Sequence, residues 1–438
     1  TRDQSRHVKH NDRTRLRSRQ GKGWMQEMRS WGKPEEQGFT LVEVMVASTI
    51  TSVIVLAGMA ALTMTGKAVR ANEQTSDAQQ NARRAMEMIA HDIKMAGFGP
   101  QIDLSKSPPP VGNCGIGATP VPILPGDNNP TVGVNDTGPD SISLMVPLTF
   151  YGGPGVPPVP PPWQTTAPLG LGGAGFANVT INPAILPAMT AAGFGANSYI
   201  SLGGAVMYRV NGAVSPIPLT VPEPGPNTVI PTGTQIFILQ CITYQVIPQL
   251  AGGTPGADVN NICGGNAPCL VRGIANATAA SFGRVLPNCN VAASPCVPIV
   301  NGIEDLQFAY ACDGCLLALP PILPEGLIDD MNANLIFDQG DYISNQIWTT
   351  PPMTPSAIKM VQVSIVARQQ SIDSGFGDGN SQAGPGALST TFLTVDDHPH
   401  AGGVFIAGDA GAQIPPYASV RRRVLTRTVE TRNARPWS

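Results

Sequence analysis

Charge is scarce in this 438-residue chain: only 13% of its residues are Asp, Glu, Lys or Arg, about half the usual quarter. Aromatic residues are scarcer still at 5%, and there are five histidines. Each shortage excludes something. A nucleic-acid surface needs a basic domain or a basic stripe with interleaved aromatics, and the sequence supplies neither. The histidines (His7, His10, His91, His398 and His400) form no Ser/His/Asp pattern, and His398 and His400, beside Asp396 and Asp397, read as part of a polar loop sooner than as a metal site. Catalysis therefore has no positive support in the sequence. The run Gly170-Leu171-Gly172-Gly173-Ala174-Gly175 spells a dinucleotide fingerprint. That fingerprint works only between a strand and a helix. Here it follows Pro160-Pro161-Pro162, and no helical pattern comes after it.

The deepest absence of charge lies between Phe39 and Gly66, where Glu43 is the one ionisable side chain in 28 residues. A helix needs roughly 20 apolar residues to cross the hydrocarbon core. A secretory signal has an apolar region of only about 7–15 residues with a small-residue cut site behind it. Here the run is longer, and its glycine, Gly38, lies in front. Residues 1–38 carry ten Lys/Arg against five acids, and the remaining chain carries seventeen against twenty-five, net −8. A basic segment before an apolar one is the signal that keeps a leader on the cytoplasmic side. Met25 and Met28 offer alternative translation starts, and either would make residues 1–24 an artefact of gene-start choice. A plain uncleaved anchor accounts for the length of the span. It does not account for Glu43, because a carboxylate at membrane depth is costly and by default functional.

Gly38-Phe39-Thr40-Leu41-Val42-Glu43, with a basic leader before it and a span after it, resembles the N-terminus of a type IV prepilin. The resemblance implies cleavage after Gly38 by a prepilin peptidase and N-methylation of Phe39. It implies that Glu43 then meets the terminal amine of a neighbouring subunit during assembly. Further segments are similar to PilW-type minor pilins: Arg83-Arg84-Ala85, Asp92-Ile93-Lys94-Met95-Ala96-Gly97, Asn301 to Phe308, and Arg421 to Asn433. The implied partners are other minor pilins, the major pilin, the inner membrane with its pilus assembly platform, and a tip adhesin. No nucleic acid and no enzymatic activity are implied. The implied location is the inner membrane, head in the periplasm, then the pilus surface. A minor pseudopilin of type II secretion shares the motif, and a pilus-mounted adhesin is a third reading.

Beyond the span, Ala82, Ala85, Met86, Ile89 and Ile93 recur at helical spacing among charged neighbours. The helix is expected from about Thr40 to Ala96, ended by Gly97-Phe98-Gly99-Pro100. After Pro100 the period changes to two. Strands are expected at 141–146, 235–240, 305–310, 360–366 and 421–431. Gly (48) and Pro (43) make up about a fifth of the chain, so long irregular insertions should separate the strands, notably 152–168 and 222–231. The fold class is therefore α+β: a long N-terminal helix, membrane-spanning in its first half, packed on an antiparallel sheet with Pro/Gly-rich insertions. The parts are a leader (1–38), a spanning half-helix (39–66), an amphipathic half-helix (67–98) and a β-rich head (99–438). With about 100–200 residues usual per domain, the head is one elaborated domain or two poorly separated lobes.

Eight cysteines, Cys114, Cys241, Cys263, Cys269, Cys289, Cys296, Cys312 and Cys315, all follow the span. On the non-cytoplasmic side an even count reads as disulfides. Short spacing favours Cys263–Cys269, Cys289–Cys296 and Cys312–Cys315, which leaves Cys114 with Cys241. Cys312-Asp313-Gly314-Cys315 also spells a redox or zinc motif, although no second pair accompanies it. Asp330, Asn332, Asn334, Asp338 and Asp341 occupy positions 1, 3, 5, 9 and 12 of a calcium loop. Leu335 stands where that loop has glycine, and Asp341 where it has the longer Glu. Calcium is the one cofactor the sequence suggests, against a solvated acidic turn.

Overall fold

A computed structural model describes residues 38–96, 138–147, 229–247, 296–316 and 422–431 without a break. It describes parts of 115–126, 163–221, 262–274, 327–369 and 394–399. The chain divides into two compact units, Thr1–Gly66 and Lys67–Ser438. In the first unit the described residues are the opening of helix α1 (Leu41–Met95), whose side chains are exposed throughout this stretch. Its apolar surface includes Leu41, Val53, Leu56 and Leu62, each more than 60% exposed. An 18-residue window of this helix has mean hydropathy 2.1 and none of it is buried within the protein. Surface of that kind needs a non-aqueous partner.

In the second unit α1 becomes two-sided. Ala78, Ala82, Ala85, Met86, Ile89, Ala90, Ile93 and Ala96 are buried. Their spacing of three and four makes one stripe along the helix. The alanines let strands approach closely, and Met86, Ile89 and Ile93 fill the gaps.

Two antiparallel sheets meet this stripe. The larger has nine strands, all antiparallel in their pairings. They are β1 (Ile123–Gly126), β2 (Ser141–Pro147), β3 (Gly175–Val179), β4 (Tyr199–Leu202), β5 (Val206–Val210), β6 (Ile217–Val221), β7 (Ile236–Ile247), β8 (Cys269–Ile274) and β9 (Cys296–Asn301). The 12-residue β7 organises it. One side takes β4 along 236–239 and then β8 along 242–247, while β2 pairs with 239–244 on the other. The second sheet holds β10 (Ile303–Cys312), β11 (Ile358–Arg368) and β12 (Arg422–Glu430), in that order. Two-residue pairings (115–116 with 119–120, 169–170 with 229–230, 394–395 with 398–399) complete the strands.

The main core joins the α1 stripe to Ile142, Leu144, Ile242, Tyr244 and Leu270 of the large sheet. It also takes in Leu306, Phe308, Val361, Val363, Ile365 and Val429 of the small one. A second core forms between β3–β6 and their connections, from Trp163, Met189, Phe194, Ile200, Tyr208, Ile217 and Ile238. The strands in this region are four or five residues long and lie among Pro and Gly, so their alternation is too brief to distinguish from loop in sequence. Much of the 152–168 segment lies outside the described residues. Of 222–231, the described end pairs only as the two-residue strand Val229–Ile230.

Buried polar groups fasten these layers. Asp92 on α1 is 8% exposed. Its Oδ2 accepts from the Tyr244 hydroxyl at 2.6 Å and from Arg272 Nε at 3.2 Å. One carboxylate thereby ties the helix to β7 and β8. Burial first, and then the Asp92 carboxylate, push the Tyr244 hydroxyl far above its ordinary value. In the small sheet a bulge between Ile303 and Asp305 re-aims Glu304. Glu304 then accepts a two-pronged pair of bonds from Arg422 Nε and Nη2. Their side chains are 0% and 4% exposed. Arg368 lies opposite Arg422 in the ladder, and burial, helped by the Arg422 charge and opposed by that of Glu304, holds its guanidinium below the ordinary range.

Candidate functional site

The N-terminal site is built by a helix cap. Thr40 precedes the first helical residue, and its hydroxyl accepts the Glu43 N–H at 3.3 Å. Glu43 Oε2 in turn accepts the Thr40 N–H and hydroxyl, each at 2.9 Å. This reciprocal pair is a capping box, which satisfies donors that the helix start leaves open. The Thr-x-x-Glu spacing of the sequence is the signal for this cap, so Glu43 has a local role besides its charge at membrane depth. Both bonds use Oε2, and among the described residues nothing donates to Oε1. Gly38 and Phe39 lie just before the cap, and Phe39 is 86% exposed. A Cβ added at Gly38 would meet nothing within 4 Å. Packing therefore does not require glycine at this position.

The second site is the acidic loop 330–341. Its start is tied to β10 through the cysteine turn. Cys312 and Cys315 are disulfide-bonded. The carboxylate of Asp329 accepts the N–H groups of Gly314, Cys315 and Leu316 at 3.1, 2.5 and 3.2 Å. Gly314, at φ +87°, makes this turn without strain. With the sulfurs bonded to each other, the pair offers no thiolate to a metal. The loop's end is tied by Ile343, which exchanges both backbone bonds with Tyr310 at 2.8 and 2.9 Å.

Between these anchors the five sequence-identified residues converge. Asp330 accepts the N–H groups of Asn334 and Leu335, at 3.1 and 2.5 Å. Asp341, fully buried, accepts those of Met331, Asn332 and Asp338 at 2.8, 3.4 and 2.7 Å. The amides of Asn332 and Asn334 donate to the two oxygens of Asp338 at 2.9 and 2.7 Å. Gly340 donates its N–H to Asp338 at 2.7 Å. These bonds, led by that of Gly340, hold the Asp338 carboxyl below its ordinary value. A Cβ on Gly340 would collide with the Asn332 side chain. Leu335, standing in the glycine position, adopts φ +66°. The loop therefore takes the left-handed turn despite the side chain, at some cost in strain. Among the described residues no Lys, Arg or His pairs with the three loop carboxylates.

A second disulfide joins Cys263 to Cys269. Cys241 and Cys296 are also disulfide-bonded. Cys114 and Cys289 lie outside the described residues, as does most of the 1–38 leader.

Residues 34–59 match the family described as the prokaryotic N-terminal methylation motif. No curated protein and no solved structure matches the chain. The matched stretch contains Gly38, Phe39, the Thr40–Glu43 cap and the start of the apolar helix. It supports a type IV pilin- or pseudopilin-type protein, anchored by one apolar helix and built on an α+β fold. The motif implies processing by prepilin peptidase and entry into a pilus-type assembly, and the proteins that carry it are structural.

Proposed function

We propose that this chain is a minor pilin of PilW type that helps to initiate a type IV pilus and sits at or near its tip. The carrying observation is the Thr40–Glu43 cap directly behind Gly38-Phe39. Cleavage after Gly38 creates a terminal amine on Phe39, methylated in turn. Glu43 keeps the helix start ordered through Oε2 and presents Oε1 to the amine of a neighbouring subunit. In lipid, where water competes poorly, such a pairing is strongly favoured. Residues 99–438 belong to the head. A head of that bulk suits a position with neighbours on one side, together with other minor pilins and a tip adhesin, better than a site repeated along a thin filament. The test is Glu43→Ala in the native host. The variant is expected to be cleaved normally and to leave cells with few pili. Normal piliation refutes the role given to Glu43, and lost secretion with intact pili points to a type II secretion pseudopilin.

The acidic loop carries a second, separate reading: a calcium site. Asp330, Asn332, Asn334, Asp338 and Asp341 would hold the ion, with Asn332 and Asn334 turning their amide oxygens inward. A hard cation takes six to eight oxygens, and this donor set is all oxygen. Calcium would cross-link the loop and offset its three carboxylates. Titrating CaCl2 into the full chain in detergent should release heat and raise the melting temperature. Asp330→Ala should abolish both. The absence of heat, with melting unchanged by Asp330→Ala, removes the site.

A further inference from the structure

The small sheet has two outer edges, and the molecule treats them differently. On β10 the outward groups are partnered. The Leu306 carbonyl accepts the Asp140 N–H at 2.8 Å, and the Phe308 N–H donates to Asp140 Oδ2 at 3.0 Å. Tyr310 is bonded at both backbone groups to Ile343.

On β12 the opposite holds. The Thr431 N–H donates to the Lys359 carbonyl at 2.9 Å. The register runs on unbroken through Val429–Val361, Arg427–Val363, Leu425–Ile365 and Arg423–Ala367. In an antiparallel ladder alternate residues exchange the bonds. Odd-numbered residues of β12 therefore face β11, and Val424, Thr426 and Thr428 turn their N–H and C=O groups outward. Among the described residues no backbone group bonds to these three on that side. Arg423, Val424, Thr426, Arg427 and Thr428 are all exposed. An open edge of this kind is a template for another strand.

We propose that the outer edge of β12 is a docking strand for an extended, acidic segment of another protein. Main-chain bonds to Val424, Thr426 and Thr428 would supply the pairing, as in strand addition generally. The charges specify the occupant. Arg422 is already paired with Glu304. Arg423 and Arg427 lie on one face of the strand, four residues apart, and have no acidic neighbour directly across in β11, where Ala367 and Val363 stand. A partner strand with Glu or Asp at alternate positions places a carboxylate opposite each guanidinium.

A second copy of this chain fits badly. Two-fold antiparallel pairing keeps each face on its own side. It would gather Arg423 and Arg427 from both copies on one face within two residues of register, and like charges so placed oppose pairing. The proposal does not depend on the filament reading, since any binding of this kind is measurable on the isolated chain.

The test uses full-length protein in detergent micelles. The probe is a fluorescent peptide as long as β12, alternating glutamate with threonine and valine, and the control is its lysine counterpart. The glutamate peptide should bind at least about tenfold more tightly than the lysine one. Val424→Pro removes an outward N–H and leaves the bonds to β11 intact. It should weaken binding about tenfold or more while the melting temperature stays within a few degrees. Arg423→Glu with Arg427→Glu should reverse the peptide preference. On binding, amide exchange should slow at Val424, Thr426 and Thr428. No binding of the glutamate peptide overturns the proposal, as do equal affinity for both peptides and an undiminished affinity in Val424→Pro. A concentration-dependent dimer abolished by Val424→Pro overturns it in favour of self-pairing.

Discussion

At the scale of single residues, a few carboxylates carry most of the chemistry, and each is defined by what donates to it. Asp338 gives a pH prediction. Its carboxyl lies below the ordinary 3.8 because the Gly340 N–H, and then the Asn334 and Asn332 amides, bond to the charged form. A carboxyl depressed in the folded state adds stability that is present above its unfolded value and lost as pH falls through the folded one. The loop should thus be tight at neutral pH and loosen below about pH 4. Amide exchange at Gly340 across that range reads it directly, and Asp338→Asn should flatten the response. Gly340 and Leu335 show what sequence could and could not reveal here. The missing glycine at Leu335 was legible as a departure from a calcium loop. That the backbone takes the left-handed turn anyway, and that Gly340 leaves room for Asn332, are facts of the folded loop. Gly38 is the reverse case: its neighbours in space demand nothing, so its meaning lies in the sequence alone.

At the scale of elements, α1 is one helix with two chemistries. Its first stretch is apolar all round and exposed, and its second is a stripe of alanines and larger apolar residues under two sheets. Both halves were legible, because a 28-residue apolar run and a spacing of three and four are strong signals. The long strands β2, β7, β10, β11 and β12 fall on the five segments read from alternation, short by Gln235 at β7 and by Thr431 at β12, while Arg421 lies outside the described residues. The shorter strands β1, β3–β6, β8 and β9 were not read, because four to six residues near prolines and glycines carry too little period. What the sequence conceals is the bulge that turns Glu304 toward Arg422. That pair decides the strength of the small sheet. Glu304→Ala leaves the buried Arg422 guanidinium without its carboxylate. The loss should be about 3–5 kcal/mol, as for other buried pairs broken on one side. Urea unfolding of the detergent-solubilised protein measures it, and a loss under about 1 kcal/mol would mean that water or another group replaces the carboxylate.

At the scale of the whole molecule, the sequence pattern divides labour between an apolar helix and a β-rich body held, among the described residues, by two larger cores and two small clusters. The second core, around Phe194 and Tyr208, lies between the resembling segments that end at Gly97 and begin again at Asn301. Disulfides at Cys263–Cys269 and Cys312–Cys315 close short loops. The first lies beside β8 and the second fastens the turn from which the acidic loop departs. Such links suit a chain in which glycine and proline leave many connections without a core of their own. They also suit an oxidising compartment, in keeping with the location that the prepilin resemblance implies for the head.

The sequence by itself determined the methylation motif at residues 34–59, the long apolar run behind Glu43, the amphipathic stripe and the α+β class. These are local signals, written in neighbouring residues and in periods of two or 3.6, and they survive without knowledge of any distant contact. The tertiary structure alone decided that Asp92 meets Tyr244 and Arg272, that Glu304 meets Arg422, and that Asp140 and Ile343 cover one edge of the small sheet while β12 stays open. Each depends on residues more than thirty positions apart. Such pairings are set by register and packing, which no stretch of sequence fixes on its own.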